Sequence, residues 1–255
     1  MRVCAVSFLN TVPLVWGMER GPQAGVFDLS YSVPSVCADR LESGDVDIGI
    51  VPCAELDRLG LEFLPDVGIA CRGPVRSILL ISRVPVRQIR TLAVDVSSRT
   101  SVMLAHIVLA ERYGVTPMTA VMPPDLNSML DSADAALIIG DPALAISPDA
   151  LPGVVLDLGA EWFALTGLPM VFAVWAGRPE HINESVRQTF LDSCRYGTSR
   201  IDEIASDPVV RRGFPPAVVR EYLTRYIRFE LGPEELRGLA AYRRYVAEFR
   251  AALVL

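Results

Sequence analysis

Two short polar turns carry the residue types best suited to chemistry. Ser7-Phe8-Leu9-Asn10-Thr11-Val12-Pro13-Leu14 follows the apolar run Val3–Val6, and Ser97-Ser98-Arg99-Thr100-Ser101-Val102-Met103-Leu104 follows Leu92–Val96. Setting Ser7 on Ser97 also matches Asn10 with Thr100, Thr11 with Ser101, Val12 with Val102 and Leu14 with Leu104. Hydroxyls and amides donate and accept hydrogen bonds without carrying charge. Where they open a helix, unsatisfied backbone N–H groups and the positive end of the helix dipole attract an anion. Each such end contributes roughly 0.3–1 kcal/mol, and up to ~2 kcal/mol when partly buried. In open α/β sheets ligands sit beyond the carboxyl ends of strands, where the next helix begins. Two turns of one design therefore predict a clamp for a small molecule with two anionic ends. Ser7, Asn10, Ser98 and Thr100 would serve equally as helix N-caps.

Several other chemistries are excluded or disfavoured. The 24 basic residues are all arginine, which removes a Schiff-base lysine and a P-loop lysine. His106 and His181 have no H-x-x-x-H partner, so structural roles are the better reading. Cys4, Cys37, Cys53, Cys71 and Cys194 are odd in number and never form a CxxC pair. Reduced, buried thiols and a cytoplasmic location are expected from that pattern. A net charge of −6 without any basic run argues against a nucleic-acid surface. No apolar stretch approaches the ~18 residues a membrane span needs, so no membrane partner is expected. The first apolar segment contains Asn10-Thr11 and Pro13 and lacks a small-x-small cleavage pattern, and reads as a strand and helix rather than a secretion signal.

The elements that must position the turns follow from alternating patterns. β-rich runs at 2–6, 27–33 and 46–51 are separated by helical candidates at 11–20 and 35–43; the second helix opens on Pro34-Ser35 and stops at Gly44. A second set has runs at 92–96, 118–122 and 135–139 and a helix at 100–113 ending at Gly114. DVDIGIVPCAEL (45–56) corresponds to DAALIIGDPAL (134–144) in the second set, each running from an acidic residue through an apolar strand to Pro and Ala in the following turn. The pattern predicts an α/β, bilobed, periplasmic binding protein type II-like architecture with a ligand cleft between two lobes. Lobe 1 is expected to be discontinuous, 1–88 plus 171–255, with lobe 2 inserted at 89–170. Residues 82–87 would be the first crossover and 169–176 the return strand. A helical C-terminal tail, 183–205, 215–225 and 233–252, would pack on lobe 1.

Taken together, SFLNTVPL, the GPVRS of 73–77, SSRTSV, IGDPAL (139–144), DLGAEW (157–162) and TGLPMVFAVWA (166–176) resemble the chorismate dehydratases of the futalosine route to menaquinone. The resemblance implies a hydro-lyase acting on chorismate, with neither metal nor organic cofactor. It places Asn10 and Ser77 as catalytic residues. Ser98, Arg99, Thr100 and Ser101, together with Thr11 and Asp141, would bind the substrate. Thr100 and Ser101 are better placed for a carboxylate than Arg99, whose side chain could equally face solvent. For Asp141 and for Glu55, at the matching turn of the first lobe, structural and catalytic roles stay open. Trp162 and Trp175 could wall the cleft or fill the core. The alternatives are the sister enzyme dihydroxynaphthoate synthase, which typically has a different first turn, and a non-catalytic receptor for small carboxylates.

Overall fold

The structure is a computed structural model that describes residues 1–147, 151 and 153–253. The chain runs β1 (Arg2–Val6), α1 (Val12–Arg20), β2 (Asp28–Ser32), α2 (Pro34–Ser43), β3 (Ile48–Pro52), α3 (Leu56–Leu59) and β4 (Glu62–Cys71). Next come β5 (Ile78–Ser82), β6 (Thr91–Asp95), α4 (Thr100–Val108), β7 (Met118–Met122), α5 (Leu126–Ser132), β8 (Ala135–Ile139) and α6 (Gly140–Ala145). The remainder is β9 (Val154–Asp157), α7 (Leu158–Thr166), β10 (Met170–Gly177), α8 (Glu184–Thr198), α9 (Ile201–Ser206), α10 (Pro216–Glu221), β11 (Arg228–Glu230) and α11 (Pro233–Leu253).

These elements form two compact units, Met1–Ala70 with Val171–Leu236, and Cys71–Met170 with Arg237–Leu255. Among the described residues each unit holds one sheet. The first has the order β11-β4-β10-β3-β1-β2 and the second β7-β6-β8-β5-β9. In the first, β1 is parallel to β2 and β3, and β10 runs antiparallel to β3. In the second, β6 is parallel to β7 and β8, and β5 runs antiparallel to β8 and β9. The two sheets thus share one plan, in which β1, β2, β3 and β10 of the first answer to β6, β7, β8 and β5 of the second. The matched sequence turns follow equivalent strands, β1 with β6 and β3 with β8. Central strands β3, β5 and β8 are buried at every position, which is why their sequences are near-continuous apolar runs rather than alternating ones.

Two expected boundaries move. The sequence pattern places residues 71–88 in the first lobe, but Ile78-Leu79-Leu80-Ile81-Ser82 is an interior strand of the second sheet, hydrogen-bonded on both edges. The chain therefore changes unit after Ala70, and 82–87 is a connection inside the second unit. The sequence pattern places the whole C-terminal tail on the first lobe, but from Arg237 onward it belongs to the second unit. The reason is aromatic packing. Trp162 lies edge-on to Tyr242 and Tyr245 with ring centroids 6.0 and 5.7 Å apart, and α11 comes so close to Pro169 that only glycine fits at Gly238. The single helix expected over 183–205 breaks at Ser199-Arg200 into α8 and α9.

Candidate active site

In the second unit the residues of interest gather at one end of the sheet. The carboxyl ends of β6, β8 and β9 lie there, together with the amino end of the reversed strand β5. Ser77 immediately precedes β5, and its carbonyl accepts the Gly140 N–H at 2.8 Å. This bond joins Ser77 to the start of α6, whose first turn carries Asp141. Gly140 sits at φ +65°, a backbone position that favours glycine. Beside them the 96–99 turn leads from β6 into α4, with Ser98, Thr100 and Ser101 buried and Arg99 half-buried. Thus Ser77, Ser98, Arg99, Thr100, Ser101 and Asp141 all come from one end of one sheet.

That end is held by two carboxylates. Asp95 is buried at the end of β6 and accepts from the Ser97 N–H at 2.8 Å and its hydroxyl at 2.7 Å, while its carbonyl accepts from the Ser98 N–H at 3.0 Å. Ser97 and Asp95 therefore shape the turn from within. Asp157, at the end of β9, accepts from Gly159 and Ala160 as the N-cap of α7 and also from the backbone N–H groups of Val75 and Arg76. One side chain fastens the Gly73–Ser77 turn to the beginning of a helix. Burial pushes the Asp157 carboxyl above its usual value, although the four N–H donors pull the other way. Arg76 adopts φ +69°, a left-handed conformation uncommon for a residue with a side chain, and donates from Nη2 to the Ile146 carbonyl at 2.7 Å. At the other side, the Tyr242 hydroxyl donates to the Thr100 carbonyl at 3.0 Å.

In the first unit, Asn10 and Thr11 occupy the corresponding place beyond β1. A 3-10 turn, Leu9–Thr11, leads directly into α1, with Pro13 in the first turn of that helix. Asn10 is half-buried and Thr11 buried. The Ser7 N–H donates to the Ser32 carbonyl at 2.9 Å, and Arg212 donates to the Ser7 carbonyl. The plain N-cap alternative is not what is seen. The N-cap residues are Thr11 for α1 and Arg99 for α4, and neither makes a side-chain capping bond. Glu55, buried after β3, pairs with Arg58 Nε at 2.7 Å, while Arg58 also forks onto Glu42 at 2.9 and 3.0 Å. That pairing ties the turn after β3 to Arg58 in α3 and to Glu42 in α2.

Other candidates are core or scaffold residues. Trp162 and Trp175 are fully buried; Trp162 donates to the Pro169 carbonyl at 3.1 Å and Trp175 packs on Phe190 at 4.8 Å. His106 bonds Thr119 and stacks on Phe249, and burial lowers its pKa. Among the described residues no three of His, Cys, Asp and Glu come together as a metal site, and no helix is long and apolar enough to cross a membrane. Sequence reading missed Asp157 and Tyr242. The signal for Asp157 was present as an acidic residue directly before the Leu-Gly-Ala-Glu opening of α7; Tyr242 left none, because its partner is a backbone carbonyl distant in sequence.

The paired α/β units with reversed strands beside their parallel cores define the fold of the periplasmic binding proteins. The periplasmic aliphatic sulphonate binding protein SsuA of Escherichia coli matches with a TM-score of 0.65 at 16% identity, covering 100% of this chain and 88% of that one. Protein AF1704 from Archaeoglobus fulgidus matches with a TM-score of 0.78 at 16% identity, over 98% of this chain and 97% of that one. In sequence, a family model for menaquinone biosynthesis covers residues 1–248. The chorismate dehydratase of Thermus thermophilus is 31% identical over 236 residues, 85% of each chain. The chain belongs to the menaquinone biosynthesis family.

Proposed function

We propose that the protein is a chorismate dehydratase, a hydro-lyase working in the cytoplasm. It removes the ring hydroxyl and the neighbouring ring hydrogen of chorismate as water and leaves 3-[(1-carboxyvinyl)oxy]benzoate. The observation that carries the reading is the gathering of Ser77, the Ser98–Ser101 turn and Asp141 at one sheet end, in a chain whose 31%-identical relative bears that name. The ring hydrogen is activated through the conjugated ring carboxylate, so its removal moves negative charge onto that carboxylate. Hydroxyls and backbone N–H groups at the start of α4 are suited to receive such charge, being fixed in place before the reaction begins. Thr100 and Ser101 bind a carboxylate in this reading, with Ser98 and Arg99 supporting the turn.

Ser77 holds the enolpyruvyl group or the departing hydroxyl. Its location is fixed from both sides, by the Gly140 N–H on its carbonyl and by Asp157 on the preceding amides. Asn10, with Thr11 beside it, orients the substrate near the reacting carbons. An amide is no base of useful strength, so the proton passes to the substrate's own side-chain carboxylate, and Asn10 contributes by fixing that geometry. Asp141 lines the same sheet end in a binding role. Aromatisation supplies the driving force.

Purified protein incubated with chorismate, with no metal or cofactor added, should yield a product lighter by one water. Chorismate left intact, with turnover instead of the naphthoate-forming enzyme's substrate, would overturn the reading. Asn10→Ala should remain folded by circular dichroism and lose most turnover; wild-type rates would remove Asn10 from the mechanism.

A further inference from the structure

Cys4 in β1 and Cys37 in α2 are both fully buried, and their sulfur atoms are 3.0 Å apart. That is about 1 Å more than a disulfide bond requires. The Cys37 thiol also reaches the Ala5 carbonyl at 3.4 Å. Arg40, on the next turn of α2, places Nη1 at 3.4 Å from the Cys4 sulfur and 3.0 Å from the Ser30 hydroxyl. The Cys4 sulfur is therefore flanked by a second thiol and a guanidinium, both of which favour its thiolate. Its pKa is lowered, first by the hydrogen bond with Cys37 and then, against burial, by the charge of Arg40. Cys37 is pushed upward by Cys4 and by burial, and its sulfur faces both the Cys4 sulfur and the Ala5 carbonyl. Cys194 shows the contrast, a buried thiol with no guanidinium or second thiol hydrogen-bonded to its sulfur among the described residues, raised to about 12 by desolvation.

We propose that Cys4 and Cys37 are a redox-active dithiol, a modification site that hydrogen peroxide converts into a disulfide joining β1 to α2. The Cys4 thiolate attacks one peroxide oxygen; the O–O bond breaks, leaving Cys4 as a sulfenic acid and releasing hydroxide that takes up a proton as water. The Cys37 sulfur then attacks the Cys4 sulfur, the S–O bond breaks, and the Cys37 proton leaves with the hydroxyl as a second water. Two thiols lose two electrons and hydrogen peroxide gains them. A thiol reductant reverses the change by exchange. Closure ties α2 to the strand that leads into the Ser7–Thr11 turn and takes the anionic partner away from Arg40. A dithiol of this kind in an otherwise reduced protein is of the labile, sensing type rather than a structural staple.

The test counts thiols and is independent of any activity on chorismate. Native protein is treated with hydrogen peroxide, quenched, unfolded with N-ethylmaleimide and mapped by mass spectrometry. Labelled thiols should fall from five to three, with the peptides of Cys4 and Cys37 linked, and dithiothreitol should restore all five. In Cys37→Ser, which keeps a hydroxyl beside Cys4, the link should vanish and dimedone should trap a sulfenic acid at Cys4. Five labelled thiols after peroxide, or losses at Cys53, Cys71 or Cys194 instead, would overturn the proposal. Equilibration of the unmutated protein in glutathione redox buffers needs no variant. The pair should oxidise as one two-electron unit, and five labelled thiols at the most oxidising ratio would refute it.

Discussion

Replacing Asp157 asks whether the Ser77 turn is held by one carboxylate. In the structure Asp157 accepts from Val75 at 3.0 and 3.1 Å, Arg76 at 2.7 Å, Gly159 at 3.0 Å and Ala160 at 3.1 Å. Asp157→Ala removes an N-cap, costing roughly 1 kcal/mol, and leaves the Val75 and Arg76 amides without their acceptor at about 1–3 kcal/mol each. Relief of a costly buried charge offsets part of this, so the net loss is about 2–5 kcal/mol. Asp157→Asn keeps one acceptor oxygen for the cap but turns an NH2 group toward Arg76, costing about 1–2 kcal/mol and confined to the turn. Urea unfolding measures both, and hydrogen exchange at the Val75 and Arg76 amides localises them. The sign with pH is also fixed. Burial raises the folded-state pKa above the unfolded value, so the stability this group adds is complete below the ordinary carboxylate range and is lost as pH rises through the raised value. The stability gap between wild type and Asp157→Asn should therefore narrow with rising pH. An Ala variant within 0.5 kcal/mol of wild type, roughly what an ordinary surface substitution costs, or Arg76 exchange unchanged in both variants, would refute the reasoning.

Ser77→Ala should lower kcat/KM on chorismate by about tenfold or more, the equivalent of one lost hydrogen bond to a charged group, with little change in Tm; steady-state kinetics decides it. Tyr242→Phe deletes only the hydroxyl that reaches the Thr100 carbonyl at 3.0 Å, so about 1 kcal/mol of stability should be lost in denaturant unfolding. Gly238→Ala would bring a Cβ to 2.0 Å from the Pro169 carbonyl oxygen; thermal unfolding should show a loss of about 1–3 kcal/mol, and an unchanged Tm would mean that α11 is not docked there. Asp47 is held down to about 2 by the hydrogen bonds and charge of Arg2. Its contribution is present above the unfolded carboxylate pKa and fades as pH falls toward 2, so Asp47→Asn should flatten acid unfolding there.

What the sequence made legible was local. β1, β3, β6 and β8 are apolar runs followed at once by polar or Pro-Ala turns, and both their existence and the likeness of the two sets could be read from residue types alone. Helix α2 announced itself through Pro34 at its start and Gly44, at φ +78°, at its end. What could not be read was allegiance. Ile78–Ser82 is apolar enough for any buried strand, and nothing in its periodicity says which sheet receives it or in which direction. Likewise α11 shows a buried face, but the partner of that face is decided by Trp162 and Pro169, far away in sequence. The same limit applies at the site. Serines and threonines flagged themselves by clustering, whereas Asp157 works on the Ser77 turn through backbone amides, which leave no mark on the residues that supply them.

The reversed strand β5 has a wider meaning for such sheets. A wholly parallel sheet can offer a ligand only what comes after its strands, so every donor is tied to the opening of some helix and must satisfy that helix too. One strand threaded backwards brings a segment that lies before a strand, here Gly73–Ser77, into the same company. Such a segment owes nothing to helix geometry and can bend through Arg76 and Gly73 in ways a helix opening would not tolerate. Ser77 thereby enters the site from the start of a strand, with Asp157 on the amides before it and the Gly140 N–H on its own carbonyl setting its location.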